Sequence, residues 1–222
     1  MSTAAEPGYR KRVGYQAGLL GGFTMIAAAF LVMGDIATRD AIEQRRAEDL
    51  LASLSQVIPP DIYDNDLLAH PLQLEKPSGD TVEVYRALKG HDVTGVAFRV
   101  TGQGYAGAIE LILGLNPRGE ILGSRVLTHA ETPGLGDKIE ANRDDWILGF
   151  DGRSLGNPAA DKWGVQKDGG AFDQFTGATI TPRAVVRALK GGLEFFHEHR
   201  DALLASAVIQ ETEVDRVRRD RP

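Results

Sequence analysis

Thr176, Gly177, Ala178, Thr179 and Thr181 stand together in the stretch DQFTGATITPR, Asp173 to Arg183, directly ahead of a proline and an amphipathic run. Small hydroxyl residues in such a place can cap a helix, hold a phosphate or be covalently modified. A segment just before a capped helix has free backbone N–H groups and the positive end of the helix dipole beside it. An anion bound there is favoured by geometry and charge together. Gly177 and Ala178 keep that approach sterically open. The competing reading is an ordinary loop and cap, with Thr181 as the capping hydroxyl and Pro182 in the first helical position.

A second stretch, THAETPGLGDK, places Glu131, Thr132, Pro133, Gly134, Leu135 and Gly136 in a stiff turn directly after a strand-like run. It reads either as a plain loop or as a surface for a planar cofactor, offering backbone N–H groups, a hydroxyl and one apolar side chain. TGQGYAGA, with Gly102, Gly104 and Gly107, matches the dinucleotide spacing G-x-G-x-x-G. That spacing carries meaning only where the glycines open a helix. Here they lead into AIELILGL, too short and too bounded by turns to be that helix, so they read as a strand connection.

Other chemistry is sparse. His197 and His199 are two apart on a helix and face different ways, which defeats a shared metal; His70 and His91 lie in polar stretches. No serine–histidine or carboxylate pair has a usable spacing, and Asp151, Asp161, Asp168 and Asp173 fall in loops and read as solvated. The 222-residue chain has no cysteine, which excludes disulfides, thiolate zinc sites and cysteine-held iron–sulfur clusters. A net charge of -6 leaves no basic excess to neutralise phosphates and argues against a nucleic-acid partner.

The elements that must position these residues follow from periodicity. VGYQAGLLGGFTMIAAAFLVMG, Val13 to Gly34, runs about 22 residues without a charge, which at about 1.5 Å per residue spans roughly 33 Å, enough to cross a hydrocarbon core. A cleaved signal peptide is the rival reading, but its apolar region should be only about 7–15 residues and end in a small-residue cleavage site, which MGDIATRD is not. Arg10, Lys11 and Arg12 directly before the span tie in number with Arg39, Arg45 and Arg46 after it; the closer, contiguous cluster favours a cytoplasmic N-terminus, with the bulk of the chain on the other side. Gly14, Gly18 and Gly22 form a small-residue stripe, read equally as a helix-packing surface or as plain glycine enrichment of a membrane helix. A further helix is expected over Ala37 to Val57, ended by Pro59 and Pro60. Asp61 to Asp80 then reads as a connecting region.

Four short branched runs, around Val82–Tyr85, Val93–Val100, Ala108–Leu115 and Ile121–Leu127, are separated by tight turns and predict an antiparallel meander. A short helix is expected around Ile139 and Trp146, and a longer one from Pro182 to about His199, where Val185, Leu189, Leu193 and Phe196 recur at helical spacing. Gly191 and Gly192 inside it predict close packing or a break.

Asp173, Thr176, Gly177, Ala178 and Thr179 match, position by position, the pattern D-x-x-[ST]-G-A-T, the flavinylation motif of FMN-binding domains. With GYAGAIELILGL at Gly104 to Leu115, HAETPGLGDK at His129 to Lys138 and the single N-terminal apolar helix, the chain resembles the G subunit of the Rnf-type ion-translocating electron transport complex. The related C subunit of the sodium-translocating NADH:quinone oxidoreductase shares the motif but is typically longer. Thr176 stands where serine is common, which keeps the hydroxyl, and Thr181-Pro182 replaces a more usual hydroxyl pair.

The resemblance implies an α+β fold: an N-terminal transmembrane helix, then a soluble FMN-binding domain with a mainly antiparallel sheet flanked by helices. It implies a division into a cytoplasmic N-terminus (1–12), the membrane helix (13–34), a juxtamembrane helix and connecting segment (35–80), the FMN-binding domain (81–200) and a C-terminal helix with a basic tail (201–222). It further implies FMN joined covalently to Thr179 through a phosphoester, with the Glu131 to Gly136 turn, including Thr132 and Leu135, against the flavin ring. Asp173 would order the threonine loop or help the attaching enzyme. The implied partners are the other membrane subunits of the complex and a flavin transferase. The implied place is a bacterial inner membrane, crossed once, with the soluble domain on the periplasmic side. The protein would relay electrons inside a complex coupling ferredoxin and NAD oxidoreduction to ion movement, and would not turn over a substrate alone. The alternatives are a membrane-tethered module that holds an anion without a covalent bond, and a structural assembly component.

Overall fold

Branched residues repeat at every second position in the central part of the chain, and there the backbone is extended. The structure, a computed structural model, describes residues 13–75, 79 and 81–205. The expected cytoplasmic N-terminus (1–12) and most of the expected C-terminal helix and basic tail (206–222) lie outside the described residues. Two units are distinguished, Met1–Glu48 and Asp49–Pro222.

The described part of the first unit is helical throughout, within α1, Val13–Ser55. An 18-residue stretch of α1 has a mean hydropathy of 1.9 and is 0% buried. Leu20, Phe23, Phe30 and Leu31 all stand exposed. Uncovered side chains of this size over such a length are unfavourable in water and favourable in hydrocarbon, so α1 fits a membrane anchor. The two helices expected over 13–34 and 37–57 are one element. Nothing between Gly34 and Ala37 breaks the helix, and Arg39 pairs with Asp35 one turn back at 2.6 Å. The end falls at Ser55, with the Ile58 amide donating to the Leu54 carbonyl at 2.8 Å just before Pro59 and Pro60.

In the second unit five strands form one antiparallel sheet in sequence order: β1 (Leu72–Glu75), β2 (Thr81–Lys89), β3 (Asp92–Gln103), β4 (Ala108–Leu115) and β5 (Ile121–Thr128). The four-strand meander is present, and β1 is an addition. It lies inside the stretch read as a connection, because a strand of four residues with half-buried Leu72 and Leu74 gives too short an alternation to stand out among polar neighbours. Between β4 and β5 the turn is built by Asn116, whose side-chain carbonyl accepts from the amides of Arg118 (2.9 Å) and Glu120 (3.0 Å), while Gly119 takes φ of 80°.

Both faces of the sheet are covered. On one, Val84, Phe98, Val100, Leu111 and Leu113 pack against α2, Ile180–Glu198, through Val185, Leu189, Leu193 and Phe196. Burying side chains of this size contributes about 1.5–3 kcal/mol each. On the other face, Leu54, Val57, Ile58 and Leu67 cover Tyr85, Ala87, Ala97 and Ile112. Gly114 is required there, since a Cβ would fall 2.3 Å from the Val57 carbonyl oxygen. Close packing rather than a break explains Gly192, where a Cβ would meet Leu113 Cδ2 at 2.6 Å; α2 runs through both glycines unbroken. After β5, 3-10 turns at Asp137–Ile139 and Asp145–Phe150 stand where a short helix was expected. A short α3, Arg200–Leu204, follows α2.

Candidate functional site

Phe175 to Ala178 form a tight turn, closed by the Ala178 amide donating to the Phe175 carbonyl at 3.2 Å, with Gly177 at φ of 83°. That left-handed backbone is reached by glycine without steric cost, so the position is fixed by conformation. The turn is anchored from below. Phe175 is buried edge-on against Trp146 (centroids 5.1 Å apart), and the Trp146 ring N–H donates to the Asp173 carbonyl at 2.9 Å. Trp146 in turn packs on Phe150, which stacks on Phe172 at 4.5 Å. An aromatic cluster therefore holds both ends of the segment leading to Thr179.

Thr179 is the residue before α2, half-buried, and its hydroxyl makes no capping hydrogen bond. The helix begins at Ile180, two residues earlier than expected, so Thr181 and Pro182 lie within its first turn. The first amides of a helix have no partner inside it, and Pro182 has none to offer. Among the described residues the amides of Ile180 and Thr181 have no other acceptor. The hydroxyl of Thr179 thus sits beside unpaired donors at the positive end of α2.

Thr181 does not cap. It is buried, and its hydroxyl donates to the Glu131 carboxylate, whose other oxygen accepts the Ala106 amide at 3.0 Å. Glu131, 5% exposed, therefore joins three segments: the β3–β4 connection, the turn after β5 and the start of α2. Two glycines make room for it. A Cβ on Gly104 would fall 2.3 Å from Glu131 Oε1, and one on Gly136 would fall 2.8 Å from Glu131 Cβ. The backbone of Glu131 is held as well, its N–H donating to His129 Nδ1 at 3.0 Å. With Nδ1 accepting, the ring proton is on Nε2, which donates to Glu140 at 2.6 Å.

These segments enclose a pocket of about 340 Å³ lined by Glu131, Thr132, Leu135, Ala178, Thr179 and Tyr105, with glycine backbone between them. The turn itself is closed by the amides of Leu135 (3.1 Å) and Gly136 (3.0 Å) donating to the Thr132 carbonyl, and leaves Leu135 45% exposed at the mouth. Small-molecule sites fall in the range of about 300–1,000 Å³, so the volume suits a small-molecule ligand.

Of the residues singled out in sequence, Glu131, Thr132, Leu135, Gly177, Ala178 and Thr179 come together here. Thr176 and Asp173 do not line the pocket: both are exposed, and Asp173 acts through its carbonyl. Asp168 is not merely solvated. Arg183 in α2 donates to it twice, at 2.6 and 2.9 Å, and these hydrogen bonds hold its carboxyl below the usual carboxylate range. Sequence reasoning does not find Tyr105, 72% exposed at the pocket. Its one signal is an aromatic between two glycines of a connection that has no dinucleotide role.

Residues 104–194, which contain both sides of this pocket, match the FMN-binding domain family. The chain is 53% identical over 187 residues to the G subunit of the ion-translocating oxidoreductase complex of Cereibacter sphaeroides, covering 84% of this chain and 85% of that one. It belongs to the family of G subunits of ion-translocating oxidoreductase complexes. Other members are 47% identical (Stutzerimonas stutzeri, 84% of this chain and 82% of that one) and 40% identical (Shewanella loihica, 85% and 91%). Among solved structures, Shewanella oneidensis NqrC is similar at 23% identity and a TM-score of 0.45, over 68% of this chain and 73% of that one. Within this family, then, the pocket at the start of α2 is the place to test for a flavin nucleotide.

Proposed function

We propose that this chain is a membrane-anchored electron-transfer subunit of an ion-translocating oxidoreductase complex, carrying FMN covalently on Thr179. The observation that carries the reading is the Thr179 hydroxyl: free of any cap bond, it borders the pocket at the positive end of α2, inside the segment matching the FMN-binding domain family. The residues fit the group. The amides of Ile180 and Thr181 and the dipole of α2 suit a phosphate, and the open turn at Gly177-Ala178 leaves it room. Leu135, Thr132 and Tyr105 offer apolar and hydrogen-bonding surface for a planar ring.

When bound, FMN supplies one-electron transfer between donor and acceptor centres. The chain's own residues do the positioning. Glu131 fixes Thr181, and hence the first turn of α2, to the pocket's opposite wall. Trp146 and Phe175 hold the turn that presents Thr179. Attachment forms the bond from the Thr179 hydroxyl oxygen to phosphorus as the phosphoanhydride bond of an activated flavin dinucleotide donor breaks: the hydroxyl proton is lost to solvent, the donor's other half leaves as a nucleoside monophosphate, and nothing is oxidised or reduced. A separate flavin transferase is the proposed agent. Asp173 and Thr176, exposed beside the turn, are the residues such an enzyme meets. The proposed boundaries are an anchor at 13–34, a juxtamembrane helix and connecting segment at 35–80 and the flavin domain at 81–200. The proposed orientation puts that domain on the periplasmic side of the inner membrane, supported by Arg10-Lys11-Arg12 beside the apolar stretch.

The test is the full chain produced in membranes with a flavin transferase, denatured and examined for flavin fluorescence on the polypeptide. Wild type is expected to retain it, and Thr179→Ala to lose it while keeping its fold. Fluorescence that leaves wild type on denaturation would favour non-covalent anion binding instead.

A further inference from the structure

Beyond α1, large apolar side chains stand exposed at three positions among the described residues: Tyr105 (72%), Leu135 (45%) and Ile180 (45%). They come from three separate segments, the connection from β3 to β4, the turn after β5 and the start of α2. Yet all three line the pocket that Thr179 borders. Single exposed apolar residues scattered over a surface need no explanation. Their convergence on one pocket does, because beyond α1 no other described side chain of this kind is exposed.

Tyr105 is the least expected of the three. It stands at the tip of the β3–β4 connection, between Gly104, whose N–H donates to the Gly107 carbonyl at 2.8 Å, and Ala106, whose N–H donates to Glu131 at 3.0 Å. Such tips ordinarily take Gly, Asn, Asp, Ser or Pro for the backbone conformations these residues allow, and Tyr105 does not have a positive φ. Its two neighbours hold the backbone without help from the ring. Among the described residues the ring contacts no other aromatic ring and the hydroxyl has no hydrogen-bond partner. The fold therefore makes no use of this side chain. Tyr105 is also the one aromatic among the described residues lining the pocket; Trp146, which anchors the segment before Thr179, is not among them.

We propose that Tyr105 is the residue on which the flavin ring stacks, its phenol lying against the isoalloxazine of FMN held at Thr179, with Leu135 and Ile180 as the aliphatic contacts. The proposal rests on the flavin reading above and adds to it the seat of the ring. With the phosphate at the start of α2, the ring end lies in the same pocket, whose large apolar side chains are these three. An electron-rich phenol and an electron-poor flavin ring favour an offset stack. A ring seated on a tied hairpin tip keeps a fixed place relative to donor and acceptor centres, which is the protein's contribution to flavin electron transfer.

Flavin fluorescence tests it, because a stacked phenol passes an electron to the light-excited ring and takes it back, which removes emission and consumes nothing. The full chain, Tyr105→Leu and Tyr105→Trp are each produced in membranes with a flavin transferase, extracted in detergent, and measured native and denatured, per flavin carried. Tyr105 is exposed and its backbone is held by its neighbours, so both changes leave the fold intact. Native wild type is expected to emit at least fivefold less than the same chain denatured. Tyr105→Leu is expected to emit within twofold of its denatured value, and Tyr105→Trp to stay quenched. Wild-type emission equal in the two states overturns the proposal, and so does a Tyr105→Leu chain that remains quenched, which assigns the contact to another residue. A denatured wild type without any flavin overturns the covalent reading and this proposal together, whereas the first two results overturn the stack with the flavin still in place.

Discussion

At the scale of the residue, the site depends on one buried carboxylate that ties its walls together. Both oxygens of Glu131 are occupied, by Thr181 and by the Ala106 amide. Glu131→Ala leaves a buried hydroxyl and a buried amide unpaired, a loss of about 3 kcal/mol read by denaturant unfolding. Glu131→Gln can still accept from Ala106 while donating to Thr181, so the expected loss is about 1 kcal/mol. Equal losses would show that charge, not the pairing, matters. Thr179 is legible in the sequence because its neighbours form a contiguous motif. The use of Thr181 is concealed, because a threonine before Pro182 reads as a cap and its true partner lies 50 positions away. Tyr105 is hidden for the same reason, brought to the pocket by a hairpin rather than by spacing.

At the scale of the element, α2 carries the site, and its two central glycines separate packing from propensity. A Cβ at Gly191 meets nothing within 4 Å, so Gly191→Ala is expected to stabilise the domain by about 1 kcal/mol, the ordinary helix preference. At Gly192 a Cβ would press on Leu113 and on Val100, at 2.6 and 2.8 Å. Gly192→Ala is therefore expected to destabilise by about 1–3 kcal/mol through overpacking. Thermal unfolding of the pair checks both signs, and a stabilised Gly192→Ala would contradict the packing. The meander, the α2 periodicity and the tight turns are legible because each is set locally. β1 is not, because its strand character comes from pairing with β2 rather than from its own residues. The continuity of α1 through residue 36 is obscured by the change from apolar to charged composition, which alters the solvent a helix prefers without breaking it.

At the scale of the whole molecule, the absence of cysteine makes topology directly measurable, since a single introduced thiol reports alone. Lys167→Cys, at an exposed position of the second unit, is expected to react with a membrane-impermeant maleimide in intact spheroplasts. Labelling only after the membrane is opened would put the domain on the cytoplasmic side and reverse the proposed orientation. The anchored chain offers one hydroxyl at a helix start as the proposed fixed seat of its redox group. Mass spectrometry of the tryptic peptide spanning residues 168–183, from chain matured with a flavin transferase, tests this most directly. The fragment ions are expected to localise an FMN phosphoester to Thr179. An unmodified peptide, or the group found on Thr176 or Thr181, would contradict it.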